Sequence, residues 1–212
     1  YANYSRQFGE NHFLTAVAGS EAQRTSAYTR RLEGQNLKGT YKQIGTPDEM
    51  LSMYGGLGGE NYLLAFFGRA DYKFKDRYLL GGSFRRDGIS SFEPDYRWGT
   101  FASVSAGWIM TEEDFLQGVE FMNFMKLRGS FGQTGNQNIP ANKTVTTYSV
   151  STGSRYGTQD LISAGTRVTN IGVPSLTWET TNNIDFGFDY GFFNNRASGS
   201  VAYYYQNVTD ML

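Results

Sequence analysis

The most constraining feature of this sequence is a strict alternation near its end. Ile184, Phe186, Phe188, Tyr190 and Phe192 alternate with Asp185, Gly187, Asp189 and Gly191. A repeat of two places every second side chain on the same side of an extended chain, and no helical period competes with it here. Asn194-Asn195 follows as a tight-turn signal. The next segment, 197–207, repeats the pattern with Ala197, Val201, Tyr203 and Tyr205 on one face and Ser198, Ser200, Ala202 and Gln206 on the other. This is a hairpin with one apolar face and one polar face.

The same pattern recurs upstream. Tyr62, Leu64, Phe66, Ala70, Tyr72 and Phe74 oppose Arg69, Asp71 and Lys73. After a Lys75-Asp76-Arg77 turn, Tyr78, Leu80 and Phe84 continue on a partner strand. Trp98, Ala102, Val104, Ala106 and Trp108 oppose Ser103, Ser105 and Gly107, and Met125, Leu127 and Phe131 oppose Lys126, Arg128 and Ser130. Two less regular strands, roughly 1–8 and 12–24, flank Gly9-Glu10-Asn11. The pattern therefore predicts an all-β, antiparallel up-and-down meander of about eight strands.

The connections fall into two classes. Those at 9–11, 75–77 and 194–196 are short. Residues 110–123 form a longer connection, where Thr111 and Asp114 have capping-box spacing and predict a short helical turn. The alternate connections, roughly 25–61, 88–97 and 134–175, are long and rich in Gly, Ser, Thr and Asn. In a meander, alternate connections lie at opposite ends. Short turns at one end and long loops at the other suit an outer-membrane barrel, whereas a soluble sandwich has no reason to separate them. Trp98 and Trp108 share a face ten residues apart. That separation spans roughly 25 Å along a tilted strand, about the height of an apolar band between two aromatic girdles.

Composition narrows the function. Cysteine is absent and His12 is the lone histidine, which excludes thiol chemistry, disulfides and multi-histidine metal sites. Nineteen basic against twenty acidic residues argue against nucleic acid as a partner. The longest apolar run, Tyr62–Phe67, is six residues, far short of a spanning helix. Both ends of the chain read as cut from something longer, with no leader pattern at the start. Arg69, Asp71, Lys73, Arg85, Asp87, Lys126, Arg128, Asp185 and Asp189 populate the polar face, which suits a wide wet or plugged lumen better than a narrow closed interior.

No motif announces catalysis, and no catalytic, cofactor-binding or metal-binding residue is assigned. Glu112, Glu113 and Asp114 read as first-turn acids favoured by a helix dipole. Gly55-Gly56-Leu57-Gly58-Gly59 is not a phosphate-binding pattern and reads as loop. The acceptor-like triplets at Asn3, Asn142 and Asn207 are short enough to arise by chance, and two of them fall in strands. Gly135-Asn136-Gln137-Asn138-Ile139-Pro140 reads as turn chemistry opening the third long loop. Tyr41, Tyr54, Tyr148 and Tyr156 could stack on sugar rings or pack on a partner, but none can be singled out, so substrate-binding residues stay unassigned.

Several motifs, in order, resemble SusC/RagA-type TonB-linked outer-membrane receptors. They are Phe84-Arg85-Arg86-Asp87-Gly88, Arg97-Trp98-Gly99, Ser105-Ala106-Gly107-Trp108 and Glu112-Glu113-Asp114-Phe115-Leu116. The series continues through Lys126–Gln137, Leu176–Thr181, Asp185-Phe186-Gly187, Phe192–Arg196 and Tyr203-Tyr204-Tyr205. The resemblance implies a barrel of about 22 strands around an internal plug, the architecture of plugged transporters. It implies import of nutrient oligomers, glycans or peptides, across the Gram-negative outer membrane. A SusD-like surface lipoprotein and TonB are the implied partners, besides outer-membrane lipid. Residues 1–212 are then a segment of barrel wall, with neither plug nor TonB-contact segment, no enzyme activity and no cofactor. A partial barrel of this kind leaves two strand edges open. The alternative is a soluble β-rich carbohydrate-binding module, whose apolar faces would converge on a closed core. The membrane reading instead turns Tyr62, Leu64, Phe66, Tyr78, Leu80, Phe84, Trp98, Trp108, Phe186 and Phe188 outward.

Overall fold

The alternating segment at 184–192 lies inside the ninth of ten strands. The computed structural model describes residues 1–37, 47–138, 143–156 and 163–211. The strands are β1 (Ala2–Phe8), β2 (His12–Leu37), β3 (Pro47–Phe74), β4 (Tyr78–Ile89), β5 (Trp98–Ile109), β6 (Met122–Asn136), β7 (Thr147–Tyr156), β8 (Ser163–Asn170), β9 (Glu179–Phe192) and β10 (Ala197–Thr209). Eight of them form one antiparallel sheet in the order β1-β2-β3-β4-β5-β6-β9-β10. β7 and β8 pair only with each other, in a hairpin inserted between β6 and β9.

Register sorts the side chains. Tyr72 pairs with Leu80, Leu80 with Ala106, Tyr78 with Trp108, and Trp108 with Leu127. Leu127 pairs with Phe188, and Phe188 with Val201. Because paired residues share a face, the apolar positions of the sheet fall on one side. On the other side Asp71 pairs with Gly81, Ser105 with Ser130, and Ser130 with Asp185.

The polarity of burial is inverted relative to a water-soluble sheet. Leu80 is 53% exposed, Phe84 48% and Phe186 61%, whereas the charged Asp87 is 8% exposed. All ten residues expected to turn outward lie on the apolar face by register, and none enters the small buried cluster. That cluster holds Ile89, Phe92, Phe101 and Trp178. A soluble module closed on these apolar faces is thereby overturned: the large side chains line an open surface of one sheet.

The ends of the sheet differ as the loop lengths suggest. At one end the hairpins close tightly. Lys75 and Asp76 take φ of 51° and 53°, and Phe193, Asn194 and Asn195 take 54°, 55° and 59°. Successive left-handed residues give a turn whose twist matches the strands it joins. At the other end lie the connection between β2 and β3, residues 90–97 and residues 137–178.

Three expectations need correction. The segment read as loop 25–61 is largely strand: β2 and β3 run on together, with register shifts at Ala27/Tyr28 and Glu33/Gly34. Gly55–Gly59 therefore belongs to β3, not to a loop. The third long connection begins after Asn136, because Gly135 and Asn136 still pair with Thr180 and Glu179. The connection after β5 holds only a 3-10 turn, Met110–Glu112, capped by Ile109 without a side-chain bond. The expected short helical turn is there, with Glu112 in it, but Thr111 is not its N-cap.

The two faces predict opposite responses to the same charge. Val104 is exposed in the middle of the apolar face, and its neighbour Ser105 lies on the polar face. In the intact receptor, Val104→Arg should destabilise the barrel by about 2–4 kcal/mol, the cost of arginine at the bilayer midplane. Ser105→Arg should cost far less. Loss of heat-modifiable gel mobility in the first variant alone is the expected result.

Candidate functional surface

The polar face is built from paired charges, some within one strand and some across strands. Arg69 on β3 grips Asp71 through two bonds, Nε at 2.7 Å and Nη2 at 2.9 Å. Lys73 reaches Asp76 in the turn at 2.7 Å. Arg85 on β4 donates from Nε to the Asp87 carboxylate at 2.9 Å and from Nη2 to Glu21 of β2 at 3.1 Å. Arg128 on β6 meets Asp185 at 2.7 Å and Asp189 at 3.5 Å on β9, and Ser200 of β10 donates to Asp189 at 2.6 Å. Gln133–Asn182 and Ser83–Ser103 add neutral bonds at 2.8 and 2.6 Å. Pairs this exposed contribute about 0–1 kcal/mol each. What they supply is a wet, charge-balanced wall.

Small residues make room for the charges. A Cβ on Gly187 would fall 2.4 Å from the Arg128 guanidinium carbon. One on Gly81 would fall 2.7 Å from Ser105 Oγ and 3.0 Å from Asp71 Oδ1. Between these charges lies an open trough of about 510 Å³, floored by Gly81, Ser105, Gly107 and Ser130. Asp71 and Lys73 line one flank, and Lys126, Arg128 and Asp185 the other.

At the long-loop end the polar face is partly roofed. Phe92, from the connection 90–97, and Trp178, just before β9, pack over Ile89 and Phe101. Trp178 meets Phe92 at 5.7 Å and Phe101 edge-on at 5.5 Å between ring centroids, and its Nε1 donates to the Arg97 carbonyl at 2.9 Å. Phe101 also lies across Gly135, where an added Cβ would sit 2.0 Å from the ring. Gly135 thus serves close packing in a strand rather than a turn.

At the tight-turn end, Glu113 is the anchor. Its carboxylate accepts Tyr78 Oη at 2.6 Å, Trp108 Nε1 at 3.0 Å and Arg77 Nη1 at 3.0 Å. The Tyr78 hydrogen bond first, then those from Trp108 and Arg77, hold its carboxyl below the ordinary carboxylate value. Arg77 also reaches Asp114 at 3.3 Å. One acid therefore ties the connection after β5 to two ring edges of the apolar face.

The other sequence candidates separate. His12 sits in the same belt: Nδ1 lies 2.6 Å from Tyr72 Oη, and its ring is 4.8 Å from Phe74. Among the described residues no group of acids and histidines could hold a metal. Asn3 and Asn207 lie in β1 and β10, while Asn142 falls outside the described residues. Tyr148 is exposed on β7, Tyr54 and Tyr156 lie in β3 and β7, and Tyr41 falls outside the described residues. Sequence reasoning missed Arg24, Glu60 and Arg86, which share the apolar face. Parity with Tyr62 and Phe84 was the available signal.

One sheet with an apolar outer face ringed by aromatics, a charged inner face, tight turns at one end and long connections at the other defines a wall of an outer-membrane β-barrel. The profile of the "TonB dependent receptor-like, beta-barrel" family matches residues 1–212, and the chain belongs to that family, whose members are transporters of the Gram-negative outer membrane rather than enzymes. It is 34% identical to TonB-dependent receptor P26 of Formosa agariphila, over 99% of this chain and 21% of that protein. It is 32% identical to TonB-dependent receptor SusC of Bacteroides thetaiotaomicron, over 100% of this chain and 21% of that protein. Among solved structures, the RagAB peptide transporter superposes with a TM-score of 0.81 at 26% identity, over 99% of this chain and 23% of that one. The chain spans about a fifth of the length of these curated relatives.

Two outcomes follow for the intact receptor. Gly135→Ala should cost about 1–3 kcal/mol through overpacking, and Phe101→Leu should relieve part of it, read as the temperature at which heat-modifiable mobility is lost. Glu113 has a lowered carboxyl pKa, so the stability it lends is present above the unfolded carboxylate value and is lost as pH falls through the lowered one. Hydrogen-exchange protection across residues 110–121, corrected for the intrinsic rate at each pH, should fall in that acid window, and Glu113→Gln should remove that fall.

Proposed function

We propose that this chain is a barrel-wall segment of a TonB-dependent importer that takes up nutrient oligomers, glycans or peptides, beneath a SusD-like surface lipoprotein. The observation that carries the reading is the inverted sheet, with apolar side chains outward and paired charges inward. Such a wall bounds a passage and needs no covalent chemistry. The charge-balanced inner face suits contact with a hydrated plug or a passing polar oligomer. The plug and the TonB-contact segment lie outside residues 1–212 in this proposal, and the whole barrel has about 22 strands. The likeness to the RagAB peptide transporter supports peptides as one class of oligomer.

The test is uptake in living cells. Deleting the intact receptor should abolish growth on one oligomeric glycan or peptide while growth on its monomers continues. Collapsing the proton gradient should stop uptake in the wild type. Affinity capture of the receptor should retain a surface lipoprotein. Unchanged uptake across a panel of oligomers would overturn the substrate class, and a receptor isolated without any lipoprotein would overturn the lid.

A further inference from the structure

The lipid-facing side should carry no uncompensated charge, yet Arg86 lies on it. It pairs in register with Phe66 on β3 and Thr100 on β5, and shares parity with Phe84. Counting from Tyr78 at the tight-turn girdle, Arg86 stands roughly 20 Å up the band, about 5 Å below the level of Trp98. Among the described residues Arg86 makes no ion pair. Its guanidinium carbon lies 5.3 Å from the centre of the Trp98 ring, which itself stacks on Phe66 at 6.5 Å. A cation–π contact lowers the cost of the charge but does not neutralise it.

Just above Arg86 a groove of about 470 Å³ opens on the same face, between Tyr62 and Trp98. Ala22, Leu64 and Gly88 form its floor, and Arg24 and Arg97 stand at its edge. Gly88 is required there, since a Cβ would meet the Trp98 ring at 2.9 Å. Arg24 shares its charge with Glu60, which Tyr62 also contacts. Arg97 uses Nε to bond the Phe92 carbonyl at 2.9 Å. The rim therefore holds two guanidinium groups, one of them paired with Glu60, and Arg86, over the ring of the groove-walling Trp98, brings a third close by. Below the groove Ser20, Ala18, Gly68 and Ala70 keep the lipid face shallow, leaving a lane between larger side chains.

We propose that this groove binds an anionic, phosphate-bearing lipid of the outer leaflet. Its phosphate sits among Arg86, Arg97 and Arg24, its headgroup lies between the Tyr62 and Trp98 rings, and an acyl chain runs down the Ala22–Ala18 lane. Guanidinium groups suit this task because they form forked bonds to phosphate and tolerate partial dehydration. Arg86 extends its stem along apolar surface and delivers its charge at headgroup level. The bound phosphate supplies the counter-ion that the protein does not.

The test uses the intact receptor in nanodiscs of phosphatidylcholine, alone or doped with diphosphoryl lipid A, with retained lipid read by native mass spectrometry. Lipid A should be retained, and its dephosphorylated form should not. Arg86→Gln should weaken retention about tenfold, as expected for loss of a charged hydrogen bond, and Arg86→Lys, which keeps the charge but loses the fork, should weaken it less. Arg6→Gln, which removes a lipid-facing arginine stacked on Phe8 on the edge strand β1, should change nothing. Equal retention by Arg86→Gln, equal binding of the dephosphorylated lipid, or full displacement by inorganic phosphate would each overturn the site. A drop in heat stability of Arg86→Gln without a change in lipid retention would also overturn it, reducing Arg86 to a partner of Trp98. Each variant is first checked for heat-modifiable mobility, so that misfolding is not read as lost binding.

Discussion

In hydrocarbon no water is present to satisfy an exposed backbone N–H or C=O, so the hydrogen-bond ladder must be continuous across the spanning region. The rest of this structure follows from that constraint. Pairing of each neighbouring strand, from β1 through β6 and on to β9 and β10, fixes register, register fixes parity, and parity assigns each residue to lipid or lumen. A slip of one residue would carry Asp71, Arg128 and Asp185 into lipid and Leu80, Leu127 and Phe186 into the lumen. The register shifts in β2 and β3 lie at Ala27/Tyr28 and Glu33/Gly34, in the part of the hairpin beyond the aromatic girdle, where water can satisfy what the ladder leaves open.

That same constraint explains what could be read from sequence. Strands inside the apolar band must alternate, so 62–74, 98–109 and 184–192 declare themselves. Outside the band alternation is not enforced. The extensions of β2 and β3, with Gly55–Gly59 among them, carry mixed polar residues and glycine, and so resemble loops although they pair. The β7–β8 hairpin escaped for the same reason: Ser, Thr and Gly dominate it and no lipid selects a face. The capping-box spacing at Thr111 and Asp114 misled because nearby acids had a stronger partner. Trp108 reaches Glu113 from five residues away, but Arg77 and Tyr78 come from 36 and 35 residues away, a match that spacing cannot reveal.

The charged face was visible as a set of residues, but its pairing was not. Parity puts Arg128, Asp185 and Asp189 on one side, and only the β6–β9 register brings them together. That register skips the entire β7–β8 hairpin, so the partners are 57 and 61 residues apart. Gly187 was legible as a small residue in an alternating strand. Its reason, the guanidinium of Arg128 passing over it, depends on the same long-range pairing.

The aromatic residues at the two ends solve one problem by different means. At the tight-turn end the polar edges of Tyr78 and Trp108 end on Glu113, so the belt is completed by the protein's own carboxylate. Its upper counterpart has Tyr62 on Glu60, but among the described residues Arg86 and Trp98 have no acid beside them. Arginine is costly in that position unless something anionic answers it. An internal acid would have removed the cost, as Glu60 does for Arg24 within the same rim. Among the described residues no acid answers Arg86, which lies beside a groove walled by two aromatic rings, whereas Arg6, also lipid-facing over a ring, stands on the edge strand β1. The lower girdle is closed on itself; the upper one is left open toward the leaflet it faces.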